Sequence, residues 1–248
     1  MATALDRGEL MRAFEQLHQQ LAADPIFADG DEGSVETMRE RLQSAPSSYE
    51  ELLGVTLADG GAHLYGGLRV VASVFRARSL RQALHEGAMV VDREEVLFLA
   101  SHLRIRGDLL LGDRASVLVA GDLVIDGNFI GAEWDNSVLG VGGALTVGNL
   151  MTRGDLLVAD RITVKDVAYL HGDRVARAPA VRARVLIEND RANLFGAVEA
   201  KERVADVIAD ESPTLARVCA LVSMKQPPDT ADGFEDRLRR RFVAKIPP

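Results

Sequence analysis

Two segments of this chain echo each other. Residues 117–128 read VLVAGDLVIDGN and residues 138–149 read VLGVGGALTVGN, so Val, Leu, Gly, Gly and Asn recur in place 21 residues apart. Related runs surround them: IRGDLLL from Ile105, VAGDLVI from Val119 and TRGDLLV from Thr152, each a short β-type run with a Gly-Asp step at its centre. Gly107, Gly121, Gly142 and Gly154 are unevenly spaced, by 12 to 21 residues, which points to stacked coils with unequal loops rather than an identical repeat. Strands this close together, separated by Gly-Asp, Gly-Asn and Asp-Gly turns, leave no room for crossover helices. A doubly wound α/β sheet is thereby excluded for residues 103–187. A sandwich of hairpins and a solenoid both remain. A period near 21 matches one coil of a parallel β-helix, whose inward Leu, Val and Ile form a continuous core, so the chain reads as mainly β, a parallel β-helix solenoid.

The flanks of the repeat carry different patterns. Leu68–Val74, Arg161–Val164 and Val181–Ile187 alternate apolar with polar or small residues and predict half-buried strands. Leu10, Phe14, Leu17 and Leu21 form a helical stripe that Pro25 ends; Ser34 precedes a second helical pattern with Val35, Met38 and Leu42 on one side, and Ser48 with Glu51 has capping-box spacing. Ser79 with Gln82, followed by Gly87, predicts a further short helix. Ser212-Pro213 starts a helix carrying Leu215, Val218 and Val222, and Phe234, Leu238 and Phe242 mark a last one whose other face, with Arg237, Arg239, Arg240 and Arg241, reads as solvated. The expected organisation is an acidic helical region over residues 1–60, a β-solenoid over 61–200, and C-terminal helices and tail over 201–248. Helices at the ends of the stack are expected to cover strand edges that would otherwise template association.

Composition narrows the function. The chain has 248 residues, ordinary apolar content, no bilayer-length apolar run and an interrupted, charged N-terminus, which together lead us to expect a cytoplasmic location and no membrane partner. Cys219 stands alone in LARVCALV and reads as a buried small hydrophobe. Twelve acids against four arginines give residues 1–60 a net charge of −8, while the remainder is neutral. An acidic chain with 5% aromatics is a poor nucleic-acid binder.

Catalytic motifs are missing: there is no P-loop, no G-x-S-x-G, no H-E-x-x-H and no C-x-x-C. His18, His63, His85, His102 and His171 lack ligand spacing, and Asp29, Asp31 and Glu40 fit an EF-hand only partly, because Ser34 replaces the turn glycine. Asp108, Asp122 and Asp155 are conceivable acids and bases, yet each directly follows a turn glycine, and turn chemistry accounts for them. Neither enzymatic activity, a cofactor nor a metal is expected.

The run GDLLLGDRASVLVAGDLVIDGN resembles the bactofilin-like, polymer-forming β-helix proteins of bacteria in its short Gly-punctuated Val/Leu/Ile coils, over about residues 103–187. That resemblance implies a right-handed coil and end-to-end assembly without nucleotide. It carries over no functional residue, and the helix-forming segments on both sides depart from the pattern. Binding another protein is therefore the expected role. The leading reading is an inhibitor or immunity-type protein that neutralises a partner such as a basic toxin; the alternative is a bactofilin-like self-assembling cytoskeletal scaffold. The expected assembly is a monomer or small homo-oligomer. Candidate contact residues are Trp134 with Glu133, Asp135, Asn136 and Phe129 in the longest interruption of the repeat, then Tyr169 and His171. The acids Asp29, Asp31, Glu32, Glu36 and Glu40 would steer a basic partner.

Overall fold

A computed structural model describes residues 6–27, 35–44, 48–58, 61–76, 80–132, 136–190, 193–225 and 228–243. Four helices come first: α1 (Arg7–Ala22), α2 (Val35–Gln43), α3 (Tyr49–Ala58) and α4 (Gly61–Arg76). The strands are β1 (Gln82–Glu86), β2 (Met89–Val91), β3 (Val96–Leu99), β4 (His102–Arg106), β5 (Leu109–Leu111), β6 (Ser116–Val119), β7 (Leu123–Ile130), β8 (Val138–Val141), β9 (Leu145–Thr152), β10 (Asp155–Val158), β11 (Arg161–Val164), β12 (Val167–His171), β13 (Ala176–Asn189) and β14 (Leu194–Val204). The chain closes with α5 (Pro213–Leu221) and α6 (Ala231–Val243).

Every strand pairing is parallel, and the strands wind into a solenoid of about six turns, as the repeat predicts. Each turn has three sides. On the first side Ala83, Leu103, Leu123, Leu145, Ile162, Val181 and Val198 stack in one column. On the second, Met89, Leu109, Phe129, Leu150, Ala168 and Leu186 do the same. Leu97, Val117, Leu139, Leu156 and Ala176 form the third column. Coil length varies from 17 residues, Leu145 to Ile162, to 22, Leu123 to Leu145, so the uneven glycine spacing reflects unequal turns over one register. Because side chains alternate along a strand, the inward columns are apolar and nearly water-free away from the end coils; Leu109, Leu123 and Ile125 are wholly buried and Leu111 nearly so.

Several expectations are corrected. Leu68–Val74 belongs to α4, not to a strand. The seven-residue window alternates, but over the longer segment Leu64, Leu68, Val71 and Phe75 recur at helical spacing and are all buried. Gln82–Glu86 is the strand β1, not a helix; pairing with β4 outweighs the capping-type spacing around it. The parallel sheet therefore begins at Gln82 and ends at Val204, and residues 61–76 join the N-terminal helices. Other local signals are realised: Ser48 Oγ accepts the Glu51 N–H at 3.2 Å, and Ser212 caps α5 by accepting from Leu215 N at 3.0 Å. Cys219 is buried in α5.

The largest correction concerns where the helices sit. They do not close the ends of the stack. α1–α4 pack on the outside of the third side, where Leu118 and Leu157 turn outward into the helical core. α5 and α6 pack on the outside of the second side, over Ile130, Met151, Tyr169 and Ile187. The strands present apolar residues both inward and outward on these two sides, and the helices remove the outward set from water.

Candidate interaction surface

The corners explain the repeat's Gly-Asp and Gly-Asn steps. At the corner between the first and second sides, a Cβ on Gly107, Gly127 or Gly148 would strike the backbone of the preceding coil, so only glycine lets the coils approach. One residue further on, Asp108 Oδ1 accepts the Asn128 N–H at 2.5 Å, Asn149 Nδ2 donates to Asn128 Oδ1 at 2.8 Å, and Asn149 Oδ1 accepts the Val167 N–H at 3.2 Å. The other two corners repeat the device: Asp122 Oδ1 accepts from Ala144 N at 2.8 Å and Asp155 Oδ1 from Val175 N at 3.2 Å. Each of the three aspartates thus satisfies a backbone donor of the next coil, which gives each a structural use. The glycines leave a groove of ≈ 580 Å³ along the first of these corners.

The second side is closed by a charged clamp. Glu235 on α6 accepts from Arg153 Nε at 2.8 Å and Nη2 at 2.9 Å, lies 2.7 Å from His171 Nδ1, and accepts from the Tyr169 hydroxyl at 3.2 Å. Burial pushes the Glu235 carboxyl up, but the His171 hydrogen bond and the Arg153 guanidinium outweigh it and hold it at about 2. Burial, and then the adjacent Glu235 charge, raises the Tyr169 hydroxyl above its ordinary value. Of Arg239 and Arg241, both expected on a solvated face, Arg239 donates to the carbonyl of Gly131 and adds to this attachment, while Arg241 donates to the carbonyl of Val222 and ties α6 to α5.

The third side is closed by shape. Leu68 of α4 sits over Gly140, where an added Cβ would meet Leu118 Cδ2 at 2.6 Å and Leu68 Cδ1 at 3.0 Å. Arg177, 1% exposed, donates from Nη1 to the carbonyl of Ile26 and ties the helical region to β13.

Among the described residues, no helix packs on the first side and no strand pairs with the outer edge of either end coil. Outward residues of the first side pair across coils: Arg104 with Asp126 at 2.9 Å, Arg106 with Glu86 at 2.9 Å, and Arg184 with Asp166 at 2.5 Å. Such exposed pairs contribute little individually, but they offset charge across this side. The ends differ. β1, β2 and β3 form the first coil, and among the described residues each pairs with one neighbouring strand only, as β14 does at the far end. Inward Ala83, Met89, Leu97 and Leu99 of the first coil are only partly buried, whereas Leu103, Leu109, Val117 and Val119 one coil along are buried.

The expected contact residues are dispersed by this arrangement. Phe129 points into the solenoid core and Tyr169 lies beneath α6, so neither faces a partner; both are corrected to packing roles. His171 belongs to the Glu235 clamp. Asn136 is exposed on the corner between the second and third sides, 3.4 Å from Asp113. Glu36 and Glu40 are exposed on α2. Trp134, Glu133, Asp135, Asp29, Asp31 and Glu32 lie outside the described residues. The first coil escaped the sequence reading because Ser79 with Gln82 and Gly87 reads as a helix there, and only pairing with β4 makes Gln82–Glu86 a strand. Comparison with family models, curated proteins and solved structures finds no match. Among the described residues no helix is long and apolar enough to cross a membrane.

Proposed function

We propose that the protein is a non-catalytic, protein-binding solenoid that self-associates through an uncovered end coil, the scaffold reading rather than the inhibitor reading. The observation that carries it is the one-sided pairing of the end strands among the described residues, which leaves backbone donors and acceptors without a strand partner and offers them to another β-edge. The second and third sides are already committed to the chain's own helices, and the first side carries ion pairs between its own coils. A cytoplasmic location belongs to the same proposal. The inhibitor reading draws support from the net charge of −8 in residues 1–60 and the exposed Glu36 and Glu40, which favour fast encounter with a basic partner. Sedimentation velocity of the intact chain over a hundredfold range of concentration tests the choice. Self-association is expected; a monomer throughout would overturn the scaffold reading and return the acidic surface to first place.

A further inference from the structure

The two ends of the stack are not equivalent. Leu84, Val90 and Val96, 52%, 62% and 43% exposed, each stand on a different side of the first coil, so one apolar residue projects from each strand of that coil. Two of the coil's four acids are already paired with arginines of the second coil, Glu86 with Arg106 at 2.9 Å and Glu94 with Arg114 at 3.2 Å, while Asp92 and Glu95 remain. Charge that would repel another chain is therefore partly neutralised from within.

At the far end the inward columns of the second side change character. The column of Phe129, Leu150, Ala168 and Leu186 ends in Arg203, and Leu170 is followed by Glu188. Arg203 Nε donates to Glu188 Oε2 at 2.6 Å, and Asn193 Nδ2 donates to Glu188 Oε1 at 3.1 Å. Inward charges of this kind oppose edge-to-edge pairing, because a chain stacked on them would have to desolvate the ion pair. The exposed outward residues of β14 include Glu199, Lys201 and Glu202, which add more charge to the same edge.

We infer that a second copy of this chain docks first coil to first coil, giving a closed pair related by a two-fold axis across the stack, with the last coils facing outward and unstacked. The inference rests on the self-association reading and adds its polarity and its limit. Coil-on-coil stacking already holds the solenoid together, and a two-fold contact needs only one self-complementary surface. The two-fold makes the joined strands antiparallel, which forms hydrogen bonds at least as good as the parallel ones inside each chain. Leu84, Val90 and Val96 each gain apolar neighbours, and the partly exposed Met89, Leu97 and Leu99 lose their contact with water.

Sedimentation of the full chain, combined with distances between spin labels on introduced cysteines, tests this. Cys219 is buried and its thiol is raised by burial, so labelling is directed to the introduced site. A dimer is expected. Val90→Lys, at an exposed position that the fold tolerates, is expected to raise the dimer dissociation constant at least ~10-fold, whereas Ala197→Lys on the last coil leaves it unchanged. In the dimer, labels at Gln82→Cys should lie within about 25 Å of each other, and labels at Ala197→Cys should be about 60 Å apart, the height of two stacks at ~4.8 Å per coil. Unchanged far-UV circular dichroism confirms that each variant is folded. Open-ended filaments, or dimers with the short distance at residue 197 and disruption by Ala197→Lys, would overturn the inference while leaving self-association standing. A monomer at every concentration would overturn both.

Discussion

The N-terminal and C-terminal helices cover neighbouring sides of one solenoid by different means. α4 docks by fit: Leu68 occupies the space that Gly140 leaves, and most of the contact is apolar. α6 docks by charge as well as by packing, with Glu235 held by Arg153, His171 and Tyr169 beneath Phe234 and Leu238. An apolar contact is indifferent to pH and loses stability in proportion to the volume removed. A buried ion cluster is sensitive to protonation, and deleting one partner leaves the others desolvated and unpaired. The two attachments should therefore fail under different conditions.

Glu235→Gln offers the largest separation. Removing the charge leaves Arg153 facing a neutral amide and should cost about 3–5 kcal/mol, with hydrogen-exchange protection lost in α5 and α6 and retained in α1 to α4. Loss of protection in both groups at once would show that the attachments are not independent. Acid should do the same to the native chain. The Glu235 carboxyl lies at about 2 when folded against an ordinary 4.5, so its stabilisation is complete above 4.5 and disappears as pH falls toward 2. α6 should accordingly lose exchange protection before α4 on acid titration.

Leu68→Ala is the apolar counterpart, expected to cost about 3 kcal/mol by urea unfolding, with no change in its pH dependence and with loosening confined to α1–α4. Gly140→Ala approaches the same contact from the sheet, forcing Leu118 and Leu68 aside at a cost of about 1–3 kcal/mol. If Gly140→Ala were neutral, α4 would have room that the contact distances deny. Asp122→Ala should have the smallest effect, about 1 kcal/mol, because it removes a hydrogen bond to Ala144 N and an exposed contact with His102 at a half-exposed corner. It should weaken both attachments equally.

Legibility in the sequence followed the range of the interactions involved. The coil was readable from Leu109, Leu123 and Ile125, since an inward column imposes its alternation on every strand that joins it. The corner aspartates were readable as turn residues, and their bonds to the next coil follow from the same steps. Leu68–Val74 was misread because seven residues sample too little of a helical period. Phe129 and Tyr169 were misassigned because aromatic residues near turn-rich sequence suit an exposed contact and a packed core equally well, and α6, which covers Tyr169, is more than 60 residues away in the chain.

What the sequence determined by itself is the coil: apolar alternation, glycines where backbones touch, and Asp or Asn where a turn must satisfy the next coil's donors are all local requirements. Only the tertiary structure decided where the helices go and which edges remain open. An amphipathic helix records that it will be buried, not against which surface, and a strand records its inward face, not whether a neighbour follows. Those choices depend on how much apolar area each side of the finished solenoid offers, a quantity that exists only once the coils have stacked.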